Sequence, residues 1–312
     1  MLQVLERSPF HITDSVEEAI EGCKLIMVVT PAFAHEEIAR SCARHLEDGQ
    51  IIVLNPGRTG GAMEFYKIVR EINPEIRVTV AEAQTLIYAC RRKGESEVVI
   101  HGTKKTVSLA ALPSRETPKV LEEVNKYYPQ FTAAENVLET SLLNIGAIFH
   151  PTPSLFNMGR IECQDDFKYY IEGITPSIAK ILERLDDERV RIAKMLDVKT
   201  LTTREWLKAV YDVENEDMYS TIQMNEVYAN IGAPKEANTR YITEDIPMSL
   251  LPLAELGRLV GVLTPTMDEI IDLASTMHNK NYRKEGRNLS KLGIDNMTVD
   301  ELTRYVDEGS IN

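Results

Sequence analysis

Apolar positions along the chain fall into two regimes. From Lys24 to Leu112, short runs that are apolar on both faces alternate with amphipathic stretches; from Ser141 onward the spacing is almost entirely helical. Lys24–Thr30, Ile51–Leu54 and Arg77–Ala81 read as strands, the first two without alternation, as in a parallel sheet covered on both faces. Between them, His35 to Leu46 places Ile38, Ala39, Cys42 and Leu46 on one helical face, and Ala62 to about Ile72 forms a second helix. This is βαβαβ, one half of a doubly wound sheet. Ahead of it, Phe10–Thr13 can form a short strand. Asp14 or Ser15 can cap a helix ending near Gly22, with Glu17 or Glu18 closing a capping box. Glu97–His101 and Thr106–Leu112 are two further strand-like runs, expected to form a hairpin that closes the sheet.

The two regimes meet at Ser141–Asn157, SLLNIGAIFHPTPSLFN. Leu142, Leu143, Ile145, Ile148 and Phe149 predict an apolar helix that stops at His150-Pro151. Pro151 disfavours helical angles at His150, which is therefore expected at a helix end or bend. A histidine at the joint of two halves lies where clefts form; a boundary histidine with no task is an equally good reading. Beyond it, Thr175-Pro176 opens a long helix to near Met195. Thr202 with Glu205, Thr266 with Glu269 and Thr298 with Glu301 mark three more helix starts, and Gly309 ends the last. The lone Trp206 reads as core or subunit interface. The fold class is α/β: a partial doubly wound sheet over residues 1–140, followed by an all-helical domain over 141–312.

Composition narrows the function. A 312-residue chain exceeds one typical core, consistent with two domains. A net charge of −13 argues against nucleic acid or an anionic membrane as the main partner. Cys23, Cys42, Cys90 and Cys163 show no CxxC or Cys/His ligand spacing, so reduced thiols and a cytoplasmic location are expected, with no metal. No apolar run reaches membrane-spanning length, and no signal-peptide pattern opens the chain.

In doubly wound sheets, ligands sit beyond the carboxyl ends of the strands. Thr30-Pro31-Ala32-Phe33 and the glycine-rich Asn55–Gly61 fall there, as do Glu82–Leu86. Asn55–Gly61 presents backbone N–H groups at a helix start and can meet an anion or a cofactor edge. It is neither GxGxxG nor a P-loop, and a tight turn without a ligand is the simpler reading. Between helices lies Arg240-Tyr241-Ile242-Thr243-Glu244-Asp245-Ile246-Pro247. Arg240 can grip a carboxylate in two-pronged fashion, and Asp245 can orient an imidazole so that the pair acts as general acid and base. On spacing alone, a surface loop with a local Arg–carboxylate pair is favoured.

Six stretches occurring in order resemble the opine dehydrogenase family, octopine/nopaline type. They are Val28–His35, Asn55–Gly61, Gln84-Thr85-Leu86, Asn144 through Pro151, Arg240 through Pro247, and Thr264-Pro265-Thr266-Met267. The resemblance implies a Rossmann-type domain and a helical substrate domain. It implies NAD(P)H-dependent reductive condensation of an amino acid with a 2-oxo acid through an imine. His150 and Asp245 would be the acid/base pair and Arg240 the holder of a substrate carboxylate. Gln84 and Asn144 would contact substrate. Pro31, Ala32, Asn55 and Gly57 would line the cofactor, NAD or NADP. A homodimer is compatible with this reading.

The family opens with a Gly-rich strand–turn–helix, and no such unit precedes Lys24 in this sequence. Lys24–Thr30 is therefore expected to carry an unpaired apolar edge. Two readings follow: an enzyme whose activity belongs to a longer or complemented protein, or a truncated, cofactor-less remnant acting in binding or assembly.

Overall fold

In the computed structural model, which describes residues 11–310, the apolar runs of the first half become neighbouring strands. The order is α1 (Val16–Ile20), β1 (Leu25–Val28), α2 (His35–Cys42), β2 (Ile51–Leu54), α3 (Gly61–Ile72) and β3 (Thr79–Ala83). β1 pairs in parallel with β2, Leu25 opposite Ile51; β2 pairs in parallel with β3, Ile51 opposite Thr79. Every residue of β2 and β3 is buried. The chain continues through β4 (Tyr88–Arg92), β5 (Val98–Thr103), β6 (Val107–Leu112), α4 (Thr117–Val124) and β7 (Phe131–Ala133). The main sheet has the order β1-β2-β3-β6-β7, with β6 antiparallel to β3 and β7 parallel to β6.

The expected hairpin between Glu97–His101 and Thr106–Leu112 does not form. β5 pairs instead with β4, which the sequence reading missed, in a separate two-stranded ribbon. Packing explains the choice. Leu109, Ala110 and Ala111 of β6 are buried against Ala83, Glu82 and Ala81 of β3. Val98 and Ile100 of β5 stay 59% and 55% exposed. Among the described residues β1 pairs with β2 on one side and forms the end of the strand order. β1 is partly buried.

The second half is α5 (Val137–Leu142), α6 (Gly146–Phe149), α7 (Pro151–Phe156), α8 (Met158–Glu162), α9 (Pro176–Met195), α10 (Thr203–Tyr211), α11 (Met218–Gln223) and α12 (Arg240–Thr243). A π-helical turn, Ile246–Leu250, runs into α13 (Leu251–Leu259). Then come α14 (Pro265–His278), α15 (Tyr282–Glu285), α16 (Leu289–Leu292) and α17 (Val299–Glu308). A boundary at 140/141 falls inside α5.

Local capping explains most helix starts. Ser15 and Thr175 cap α1 and α9, and full capping boxes form at Thr202–Glu205 and Thr298–Glu301. Two starts differ from expectation. The Glu18 carboxylate accepts from Thr13, so no box closes at α1. At α14 the N–H groups of Thr266 and Met267 donate to the buried Glu188 carboxylate of α9, at 2.8 and 3.0 Å. A neighbouring helix therefore replaces the expected Thr266–Glu269 box. Of the proposed strand Phe10–Thr13, His11–Thr13 is irregular and Phe10 lies outside the described residues.

One face of the sheet packs on α4 through Ile51, Val53, Leu109 and Val120. The other face belongs to a continuous core running from α2 and α3 through α5–α7 into α9, α13 and α14. The two halves thus share apolar packing. The carboxyl ends of β1, β2 and β3 meet the α5–α7 segment and the α12–π-turn segment there.

Candidate active site

His150 ends α6, and Pro151 starts α7 immediately after it. The bend is where the proline predicts it, but His150 stays near helical angles, φ −100° and ψ −52°. The His150 N–H still donates to Gly146 O at 3.1 Å, and this bond with the Tyr169 and Ser154 contacts to its carbonyl holds the angles that Pro151 disfavours. The backbone carbonyl of His150 accepts from Tyr169 Oη at 2.6 Å and Ser154 Oγ at 2.8 Å. Tyr241 stacks on the imidazole, centroids 4.3 Å apart and planes 15° apart. Both the backbone and the ring plane are held.

His150 Nδ1 lies 2.8 Å from Oδ2 of Asp245, 95 positions along the chain. Asp245 is 1% exposed and sits at the start of the π-helical turn. Burial works to raise its pKa. The nearby Arg58 charge, with His150 and Ser249, outweighs burial and holds it below the usual carboxylate value. An ionised Asp245 accepts the Nδ1 proton and leaves Nε2 as the working atom of a partly exposed imidazole. Asp245 is thus buried against His150 rather than on a surface loop, while the local Arg–carboxylate pair expected in this stretch does form, between Arg240 and Glu244.

Two further residues complete this centre. Glu244 is almost fully buried. Its Oε1 accepts from the Ala32 N–H at 2.9 Å and from Arg58 Nε at 3.4 Å. Its Oε2 accepts from Arg240 Nε at 2.8 Å and lies 2.7 Å from Arg240 Nη2. Arg240 is therefore not an unpartnered grip; part of its fork is taken by Glu244, and the side chain is otherwise largely exposed. Arg58, in the glycine-rich turn, adds a guanidinium whose Nη1 is 3.2 Å from Asp245 Oδ1. Nothing local in the sequence marked Arg58 or Glu244 individually, although both lie in stretches singled out above.

The strand-end loops are held from beneath by Arg287, a fully buried residue the sequence reading did not identify. Its guanidinium donates to Glu64 Oε2 (2.6 Å), Gly57 O (2.9 Å), Thr59 O and Ala32 O (both 3.3 Å), and His35 Nδ1 (3.0 Å). One cation thus ties the loop after β1 to the loop after β2. Gly57 has to be glycine, because a Cβ there would lie 2.5 Å from the Glu82 side chain. Glu82, buried at the end of β3, accepts from Ala62 N, Thr140 Oγ1 and Ser141 Oγ. Of the expected substrate contacts, Gln84 donates to Leu143 O at 2.9 Å. Asn144 is buried and donates to Thr59 Oγ1 at 3.2 Å. That bond makes Asn144 a support of the turn.

Comparison with known proteins agrees with this arrangement. Residues 133–278 match the family model described as NAD/NADP octopine/nopaline dehydrogenase, alpha-helical domain. The opine dehydrogenase of Arthrobacter sp. (strain 1C) is 41% identical over 299 residues, covering 96% of this chain and 83% of that one. The chain belongs to the opine dehydrogenase family. It is thereby an NAD(P)-dependent oxidoreductase acting on CH–NH bonds. The octopine dehydrogenase of Pecten maximus is 26% identical over 309 residues, covering 89% of this chain and 76% of that one. A solved octopine dehydrogenase with NADH and L-arginine superposes with a TM-score of 0.80 at 24% identity, covering 95% of this chain and 81% of that one. A yersinopine dehydrogenase with NADP+ superposes at 0.68 and 15% identity, covering 95% and 81%. Both share the fold: a Rossmann-like sheet with a helical domain.

The strand ends suit a nicotinamide cofactor. Thr30 Oγ1 after β1 and Asn55 Oδ1 after β2 are shut off from water with no hydrogen-bond partner. Buried polar atoms ordinarily have partners, and a cofactor bound beyond the strand ends would bring N–H and O–H donors to this position. No helix of the described residues is long and apolar enough to cross a membrane.

Proposed function

We propose that this opine dehydrogenase condenses the amine of an amino acid with a 2-oxo acid and reduces the resulting imine. The contact that carries the reading is His150 Nδ1 to Asp245 Oδ2 at 2.8 Å. Protonated His150 gives its Nε2 proton to the oxo-acid oxygen as the amine adds, takes up the proton that the added nitrogen loses, and passes it to the hydroxyl, which leaves as water. Asp245 keeps the ring in the required tautomer and balances its positive charge. Arg240, steadied by Glu244, presents its remaining N–H groups to a substrate carboxylate. Pro31, Ala32, Asn55 and Gly57 line the cofactor side, and Gln84 approaches the substrate. The nicotinamide cofactor, when bound, supplies the hydride to the imine carbon.

The test is an assay of the protein with NADH or NADPH, pyruvate and a panel of L-amino acids. Expected are amine-dependent loss of reduced-nicotinamide absorbance and a secondary-amine dicarboxylate by mass spectrometry. Oxidation without the amine, giving the 2-hydroxy acid, or no oxidation with any pair, overturns the reading.

A further inference from the structure

A secondary-amine dicarboxylate brings two carboxylates to the site, and Arg240 accounts for one. Arg58 is the other guanidinium at the dyad, and its surroundings differ from those of the other buried arginines. Arg287 and Arg189 are fully buried, and each engages Nε and both terminal nitrogens in hydrogen bonds. Arg58 has a side chain only 17% exposed, yet its one hydrogen bond among the described residues is the 3.4 Å contact from Nε to Glu244. Its Nη1 also lies 3.2 Å from Asp245 Oδ1, and the side chain keeps a small exposed fraction. Two carboxylates hold the charge in place through Nε and Nη1, and among the described residues Nη2 makes no hydrogen bond.

Its placement is constrained as well. Arg58 has φ +62°, in the left-handed region that a non-glycine residue seldom adopts. That conformation sets the guanidinium on Asp245 Oδ1, while His150 takes Oδ2. The two side chains converge over Gly146: a Cβ there would stand 2.9 Å from Arg58 Nη1 and 3.4 Å from His150 Cε1. In a 2-oxo acid the carbonyl and carboxylate carbons are directly bonded. The cation that receives this carboxylate must therefore lie beside the proton donor that acts on the carbonyl. Arg240 engages the other oxygen of Glu244 and faces solvent, a better place for the amino-acid carboxylate.

Resting on the reaction proposed above, we infer that Arg58 is a substrate-binding residue: its terminal N–H groups receive the carboxylate of the 2-oxo acid beside His150. Arg240 then holds the carboxylate of the amino acid, and the pair of cations selects a 2-oxo acid over an uncharged ketone or aldehyde.

The experiment compares kcat/KM for pyruvate and for methyl pyruvate, which keeps the carbonyl and removes the charge, in the wild-type protein, Arg58→Met and Arg58→Lys. The wild type favours pyruvate. Arg58→Met reduces that preference roughly 10- to 100-fold, the range of one charge-assisted contact, with KM for the amino acid near its wild-type value. Arg58→Lys, which keeps the charge without the fork, lies between. If Arg58→Met does not fold, the Lys variant alone decides on the same ratio. A purely structural role lowers both rates together and leaves the ratio unchanged; that result, with wild-type turnover intact, overturns the assignment of Arg58. Absence of wild-type turnover with any pair removes the parent reaction and this inference with it.

Discussion

Arg287 and Glu64 form an ion pair at 2.6 Å with side chains 0% and 4% exposed. The pair joins the segment between α15 and α16 to α3, more than two hundred residues earlier. The same guanidinium holds the carbonyls of Ala32, Gly57 and Thr59. It sets the spacing of the two loops assigned to the cofactor.

Removing one member of such a pair leaves the other charge buried and alone. Arg287→Met is expected to destabilise the protein by about 3–5 kcal/mol, read from urea unfolding. Adding Glu64→Met should restore part of that loss. Cofactor affinity should fall in both variants, because the loop carbonyls lose their donor in each. Equal stability of the single and double variants would show that the carbonyl contacts dominate over the ion pair.

The dyad predicts a loss confined to chemistry. His150→Ala and Asp245→Asn are expected to lower kcat by about 10²–10⁴-fold, the usual range for general acid–base catalysis. Cofactor affinity, followed by fluorescence titration, should stay near wild type. Near-normal turnover in either variant removes the acid/base assignment.

Glu188 and Thr266 provide a test of how α14 begins. Glu188→Ala removes the acceptor for two helix N-terminal N–H groups and is expected to cost about 1–2 kcal/mol. Thr266→Ala should leave stability nearly unchanged, since no side-chain cap is made there. The reverse order of effects would mean that a local cap governs this helix.

His35 makes stability depend on pH. Burial first, and then the Arg287 charge, push its pKa down from 6.5 to about 3. The neutral ring is the folded form, accepting at Nδ1 from Arg287. Between these values the unfolded chain binds the extra proton. The His35 contribution is therefore complete above about pH 6.5 and is lost as pH falls toward 3, by up to several kcal/mol. Urea midpoints at pH 7.5 and pH 4.5 should differ more for the wild type than for His35→Gln. A His35→Gln difference as large as that of the wild type would remove His35 as the cause.

Most local elements were legible because their causes are local. Ile51–Leu54 is apolar throughout and forms a strand buried on both faces. Thr202–Glu205 and Thr298–Glu301 close capping boxes within four residues. Tyr88–Arg92 was missed as a strand, since its pairing with Val98–Thr103 reflects which neighbour the sheet leaves available. The start of α14 was misassigned because its true cap comes from Glu188, 78 positions away. Family resemblance singled out His150, Arg240 and Asp245; spacing alone favoured a surface loop for the last two.

By itself the sequence determined the doubly wound half-sheet, the helical second half, the strand-end loops and the bend at His150. Each follows from hydrophobic period, glycine and proline placement, or a cap within one helical turn. Only the tertiary structure decided that Asp245 reaches His150, that Glu244 links Ala32 to both Arg58 and Arg240, and that Arg287 holds the loops from below. These are contacts between charged groups far apart in sequence. A charged side chain leaves no periodic trace of its partner, and burial, which makes such contacts strong, exists only once the two halves have packed together.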